Sequence, residues 1–416
     1  MSAPTTLMVS TYAGARDAFR QRHLRQALYD AGEVVMADVL VNLHGEAHRD
    51  RRRLENRLFR RDTHTRYERS LFPPIVDSVL APHLHSGRAE LVELSHNLMM
   101  HLAAATAGVD RPLGTAEETD RLYQAMMQFI AGATLAHYSG DRAARRSEVA
   151  AALERFDVEF LAPSVERRRQ ALAGLADGTV DEDDLPRDVL TVLLRHDDEL
   201  HLPPDVLLRE TCFYLLAGAH TSATAFVRTF DNLIRLDLAA PGRVAAAVAD
   251  PLQLQRCVHE TIRLQPSSPV ATRRALEPVE LLDGRVAAPG DLVVVDLVAA
   301  NRDPEVFGED AAVFDPDRPL PEGVPRWGVS FGVGAHACIG QDLATGDPPD
   351  TGNGAGRPDD HLVGLVTVAL RALLDADARP DPNRPARIDP ASERGYWSTY
   401  PVLLGGRHGD RQVGPT

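Results

Sequence analysis

The 416-residue sequence predicts a mainly helical protein with a minor β portion toward its C-terminal side. Three observations predict it. Apolar residues recur at helical spacing through most of the chain as far as residue 264. Residues 205–236 (DVLLRETCFYLLAGAHTSATAFVRTFDNLIRL) are apolar on nearly all sides around 211–219 and run to about three times the mean helix length, which predicts a helix buried through the core. After Pro266 the pattern changes, and residues 278–300 read as short strands with Gly-centred turns.

Taken in order, residues 48–61 (HRDRRRLENRLFRR) predict an arginine-rich amphipathic helix. Residues 88–107 and 115–138 carry apolar positions at helical spacing. A further long helical stretch, 145–175, ends near Gly174 and Gly178, and acidic residues 181–184 mark a surface loop. Pro203 and Pro204 introduce the long helix 205–236, and Pro266 ends another at 244–264. Turns at Asp283–Gly284 and Pro289–Gly290 punctuate the strands, and a Pro-rich irregular stretch runs from 304 to 328. A helix starts after Cys338, is broken at 346–360 (GDPPDTGNGAGRPDD) and resumes at 361–374. Residues 395–404 read as a strand. There are no internal repeats. The chain exceeds the usual single-core limit of about 250–300 residues, yet it reads as one domain, 1–416, with a helical body at about 45–275 and a mixed region at about 276–416.

Composition narrows the function. With 60 acidic residues against 45 basic ones, all arginine, the net charge of −15 argues against a nucleic-acid partner, which would require a basic face. No run reaches the 18 or so apolar residues of a membrane span, and the first 25 residues show no signal peptide. Cys212, Cys257 and Cys338 lie far apart with no CxxC pair, so neither a disulfide scaffold nor a zinc site is expected. A reducing cytoplasm is the expected location.

The sharpest chemical signal is Phe331-Gly332-Val333-Gly334-Ala335-His336-Ala337-Cys338-Ile339-Gly340. Glycines at 332, 334 and 340 let the backbone turn tightly and approach a large flat ligand. Cys338 sits where a helix begins, and a helix N-terminus stabilises a thiolate. This run resembles the haem-binding loop of cytochromes P450 (Phe-Gly-x-Gly-x-His-x-Cys-x-Gly). The resemblance implies the cytochrome P450 fold and haem b (iron protoporphyrin IX), with Cys338 as the metal ligand and Phe331, Gly332, Gly334, His336 and Gly340 beside the cofactor.

Further motifs resemble that family in the same order along the chain. Glu260-Thr261-Ile262-Arg263 places a carboxylate and a guanidinium on one helix face. It resembles the family's Glu-x-x-Arg motif, and Arg318 matches the arginine that completes this structural triad. His48 and Arg52 resemble the His-x-x-x-Arg pair that faces the haem propionates, and Arg273 and His336 fit the same role. Ala217-Gly218-Ala219-His220-Thr221-Ser222 resembles the distal motif Ala-Gly-x-acid-Thr-Thr. In that reading Gly218 leaves room for dioxygen, and Thr221 bonds the carbonyl of Ala217 and orients dioxygen and its protons. Ala217, Ala219, Val270, Tyr396 and Trp397 are the residues the resemblance places in the substrate pocket.

The sequence departs from the family in three places. His220 stands where the family has an acid, and it reads either as a proton relay or as a histidine bonding a neighbouring helix. Only 47 residues precede His48, so part of the usual N-terminal helix and sheet region is expected to be short or absent. The segment 346–360 interrupts a helix that the family keeps continuous, on the face where electron donors dock, and its composition predicts an exposed, flexible excursion. The resemblance implies a monooxygenase acting on a small-molecule or carrier-bound substrate in secondary metabolism, with a ferredoxin-type electron donor and neither nucleic acid nor membrane as partner. His220 keeps open a second haem-thiolate chemistry: peroxide use, radical coupling or rearrangement. A third reading is an inactive domain that recruits a partner, against which intact Cys338, Glu260, Arg263 and Thr221 argue.

Overall fold

The computed structural model describes residues 4–349, 360–390 and 394–405. One helix organises it. Helix α7 (Pro204–Ala239) runs unbroken for 36 residues, which at 1.5 Å per residue is about 54 Å. Pro204 suits its first turn, where the missing N–H costs nothing. Its middle is buried on most sides, as the apolar run around 211–219 requires: Cys212, Leu215, Ala219, Ala223, Phe226 and Phe230 are all 0% exposed.

Around α7 pack the helices that the periodicity predicted, with shifted ends. They are α2 (Gly45–Glu55), α3 (Leu91–Ala107), α4 (Ala116–Ala133), α5 (Arg142–Phe156), α6 (Ala162–Asp177) and α8 (Pro251–Leu264). Helix α3 lies closest along α7, and Gly218 permits it: a Cβ there would sit 3.2 Å from the Cβ of Ala103. Gly218 thus accommodates α3 while staying half-buried, three residues before Thr221. The predicted helix 244–264 is also two helices, Arg243–Ala249 and α8. Pro251 lacks the N–H that would continue the first, and Asp250 caps the second by accepting from the N–H of Leu252. Helix 48–61 ends at Glu55, and α5 passes into α6 through a π-turn at Asp157–Leu161.

The minor β portion is a four-stranded sheet built from both ends of the chain. β1 (Thr6–Val9) runs parallel to β5 (Leu292–Asp296); β5 pairs antiparallel with β4 (Val270–Ala275), and β4 with β2 (Leu24–Gln26). Short α1 (Tyr12–Arg20) crosses beside it, and Val9, Phe19, Val293, Val295, Phe307 and Val329 belong to its own smaller core. β3 (Arg88–Glu90) pairs with β7 (Pro401–Leu403), while β6 (Trp397–Thr399) precedes it. The tail that read as a single strand is thus two.

The helix after Cys338 is interrupted as the sequence predicted. α9 (Gln341–Thr345) stops, and α10 (Leu365–Asp375) resumes in the main core. Residues 350–359 of the interrupting segment lie outside the described residues. Its stems close on each other: Asp347 N–H donates to Leu362 O at 2.8 Å, and Leu362 N–H to Asp347 Oδ2 at 2.9 Å. Gly346 is required where they meet, since its φ is +73° and a Cβ there would lie 2.1 Å from the Leu362 carbonyl.

Candidate active site

Residues 331–340 make a tight loop between the irregular stretch and α9. Gly332 and Gly334 take φ of +65° and +78°, which only glycine adopts without strain. Phe331 is half-buried, edge-on to Trp327 at 5.8 Å, and its carbonyl accepts from the N–H of Cys338 at 2.9 Å, closing the loop. The N–H groups of Gly340 and Gln341 donate toward the Cys338 sulfur. Burial nevertheless outweighs them and pushes the thiol up from its ordinary range. The helix start favours the thiolate as expected, and a bound cation would supply the rest of what burial takes away. The Cys338 side chain is accessible although it lies deep in the protein, so it opens onto an internal space. Gly340 borders that space. Its φ is −90°, and nothing lies within 4 Å of where a Cβ would stand, so neither strain nor packing calls for glycine.

A cluster of cations and imidazoles gathers at the same loop. α2 carries His48, 4% exposed, with Arg52 one turn on; β4 brings Arg273, 5% exposed; the loop brings His336. The His48 and His336 rings stack with centroids 3.9 Å apart. Burial first, then Arg52 and His44, pulls His48 down to about 4. Burial, then His48 and Arg273, pulls His336 to about 3, and burial takes Arg273 down to about 10. Arg273 donates to Gln26 Oε1 and its guanidinium lies over the Phe19 ring. His44, not singled out from the sequence, joins them at the start of α2, nearly parallel to His336 at 6.5 Å with a buried Nδ1 that has no partner. The signal was available: His44, His48 and Arg52 are spaced four apart on one helix face.

Among the described residues, none of His44, His48, Arg52, Arg273 and His336 is ion-paired to a carboxylate. The imidazoles are neutral, but Arg52 and Arg273 are cations; a buried guanidinium without an anion is costly, and a ligand presenting carboxylates would relieve that cost and give the imidazoles an acceptor. The loop, the open space beside Gly340 and this cluster therefore fit haem b: Cys338 would hold the iron and the cluster would face the propionates. Arg273→Ala is expected to remove about 2 kcal/mol of charge-assisted bonding, roughly thirtyfold in haem retention. Haem transfer to apomyoglobin measures it, and a transfer rate equal to wild type would overturn the assignment.

On α7 the Thr221 hydroxyl donates to Ala217 O at 2.8 Å, as the i−4 spacing predicts. Thr221 is exposed mid-way along a buried helix, so it too faces an internal opening. Ala217 is half-buried, one turn away on that face. Ala219 does not join it. Two residues from Thr221 is just over half a turn of helix, and Ala219 points into the core at 0% exposure. Val270 opens β4 half-buried, and Trp397 packs edge-on to Tyr400 at 5.1 Å. Tyr396 lies edge-on to His220 at 5.3 Å.

His220 turns toward α3. Its Nδ1 lies 3.3 Å from His96 Nε2, and His96 Nδ1 lies 3.0 Å from Val92 O. A carbonyl only accepts, so His96 Nδ1 carries a hydrogen and its Nε2 is bare; His220 Nδ1–H then donates to it. This leaves His220 Nε2 an acceptor, buried without a partner. Burial, with His96, Arg394 and Arg228 adding to it, holds His220 well below its usual range and therefore neutral.

The triad lies behind the loop. Arg263 donates to Glu260 through two bonds, Nε to Oε2 at 2.7 Å and a terminal nitrogen to Oε1 at 2.6 Å. Its other terminal nitrogen reaches the carbonyls of Asn301 and Ala311 at 2.6 and 2.8 Å. Arg318 Nε stands 3.7 Å from Glu260 Oε1, and Arg318 also binds the carbonyls of Phe307, Asp310 and Val313. All three side chains are 3% exposed or less.

The family model for cytochrome P450 matches residues 251–346, which carry Glu260, Arg263, Arg273, Arg318 and the Cys338 loop. The self-sufficient cytochrome P450 monooxygenase CYP505E3 of Phanerodontia chrysosporium is 41% identical over 93 residues, 21% of this chain and 9% of that protein. The 6-deoxyerythronolide B hydroxylase of Saccharopolyspora erythraea is 35% identical over 208 residues, 49% of this chain and 44% of that one. The match thus spans less than half the length of these relatives. The fold agrees over nearly the whole chain: the structure of CxnD, a cytochrome P450 for C–S bond formation in chuangxinmycin biosynthesis, superposes with a TM-score of 0.72 over 96% of this chain and 88% of its own, at 19% identity. Haem b is the cofactor that this family and fold imply. The loop, the triad, the family model over residues 251–346 and the fold all support a cytochrome P450.

Proposed function

We propose that the protein is a haem-thiolate monooxygenase. It inserts one oxygen atom into a small organic substrate, free or carrier-bound, with electrons from a separate ferredoxin-type donor, in the cytoplasm and in secondary metabolism. The observation that carries the reading is the accessible Cys338 sulfur, deep in the protein, beside arginines and imidazoles that have no carboxylate partner among the described residues. The hydroxylase named among the relatives supports it. Among the described residues, no helix is long and apolar enough to cross a membrane.

Haem bound at Cys338 would supply the activation of dioxygen. The protein's own residues do the rest. His48, Arg52, Arg273 and His336 hold the propionate edge and set the cofactor's orientation. The Gly340 and Gln341 N–H groups bond the sulfur and moderate its charge. Thr221 spends its hydrogen on Ala217 O, so toward the cavity its Oγ1 is an acceptor that holds a proton-bearing group in place.

A second reading, chemistry without net oxygen insertion, is favoured by the His220–His96 pair. A relay must pass its proton onward, and this chain ends on the carbonyl of Val92, which cannot. CxnD, described as a C–S bond-forming enzyme, shares the fold. Turnover under labelled dioxygen separates the two. One labelled oxygen atom in the product supports monooxygenation; a product with none supports the second reading. Because His220 is neutral, His220→Ala is expected to leave coupling and peroxide release unchanged from pH 6 to 8. A peroxide leak that His220→Asp repairs would reinstate the relay.

A further inference from the structure

Arg228 lies seven residues beyond Thr221 on α7, two helical turns, so both belong to one face. It is 7% exposed and has no carboxylate partner among the described residues. Its bonds go to backbone carbonyls of two segments without regular structure. One terminal nitrogen donates to Gln265 O at 2.9 Å and Pro266 O at 3.1 Å; the other donates to Arg394 O at 2.7 Å. The guanidinium lies over the Tyr396 ring, 5.1 Å from its centroid.

Those segments are bound to each other and back to α7. The Tyr396 hydroxyl donates to Ser267 O at 2.6 Å and accepts from Arg394 at 3.0 Å. Ser267 Oγ donates to Thr221 O at 2.9 Å. Tyr29, just after β2, shares a side-chain hydrogen bond with Ser268. The chain after α8 and the chain before β6 are therefore laced to the helix at both ends of one stretch, beside the exposed hydroxyl of Thr221.

We propose that Arg228 is a positioning residue that fixes the wall of the substrate cavity and so determines which substrates fit over the haem. A buried guanidinium costs several kcal/mol of desolvation, and here only loop carbonyls and an aromatic face offset it, so what it secures is the placement of those loops. A planar fork of five donors satisfies three carbonyls at once; an ammonium of similar length does not. The proposal rests on the haem-thiolate reading, because the cavity it shapes is the one above Cys338.

The test uses holoenzyme with Arg228→Met, Arg228→Lys and Tyr396→Phe, the last removing only the hydroxyl and with it the bonds to Ser267 and Arg394. Imidazole and clotrimazole serve as small and bulky iron-ligating probes, and their affinities are read from the Soret shift. Imidazole binding is expected to stay within twofold of wild type. Clotrimazole binding is expected to change tenfold or more in Arg228→Met, and less but in the same direction in Arg228→Lys and Tyr396→Phe. An unchanged ratio of the two affinities in these variants, with the thiolate–carbon monoxide band intact, overturns the proposal. If Arg228→Met does not fold, the Tyr396→Phe ratio decides alone. Loss of the haem band from wild type would instead refute the reading on which the proposal rests.

Discussion

Cys338→Ala is expected to abolish the red-shifted Soret band that reduced wild-type protein gives with carbon monoxide. A thiolate gives that band, and the other two cysteines cannot replace it: Cys212 and Cys257 are buried in the packed core at 0% and 1% exposure. Burial pushes the Cys257 thiol up to about 12 and Cys212 up as well, so neither is available as a thiolate. The variant should still fold, because Cys338 fills no packed site and faces an internal space. The cation cluster on the propionate side should also retain weakened haem. A variant that keeps the red-shifted band would remove Cys338 from the iron; a wild type that binds no haem would remove the assignment altogether.

Arg263→Ala is expected to be worse for the fold than any single change in the cation cluster. It would leave Glu260, 2% exposed, as a buried carboxylate without its bidentate partner, which costs about 3–5 kcal/mol. It would also strip the carbonyls of Asn301 and Ala311 of their donor, the first just before and the second within the irregular stretch leading to the Cys338 loop. Arg263→Lys should rescue little, since one ammonium cannot reach Glu260 and two separate carbonyls. The expected outcome is little soluble holoprotein from either variant, measured as haem per polypeptide after expression. Equal haem content and equal melting temperature in Arg263→Lys would show the triad to be dispensable. Arg273→Ala, by contrast, should fold and lose haem slowly, because its site is completed by the ligand.

Much of this was legible in the sequence for a physical reason. A turn through left-handed φ admits few residues but glycine, so Gly332 and Gly334 announce the loop before any coordinates. A pair three apart on a helix, such as Glu260 and Arg263, meets wherever that helix lies. Helix periodicity likewise located α3, α4 and α7 to within a few residues, because one-sided burial repeats every turn. Element ends were less legible: Pro251 split a helix that apolar spacing alone ran through.

What the sequence could not determine were properties of facing surfaces. It supplied a glycine at 218, but only the approach of Ala103 from α3 shows what that glycine accommodates. It placed Ala219 in a motif, but the direction of one side chain on α7 depends on how the helix is rotated against its neighbours. It identified His220 as a departure, but the histidine's tautomer and neutrality follow from His96, 124 residues away in sequence and 3.3 Å away in space. The helix start showed what favours a Cys338 thiolate, but the opposing cost of burial depends on everything packed around the sulfur. Local spacing fixes which groups can meet along one element; which groups meet across elements, and at what dielectric cost, is decided only when the core closes.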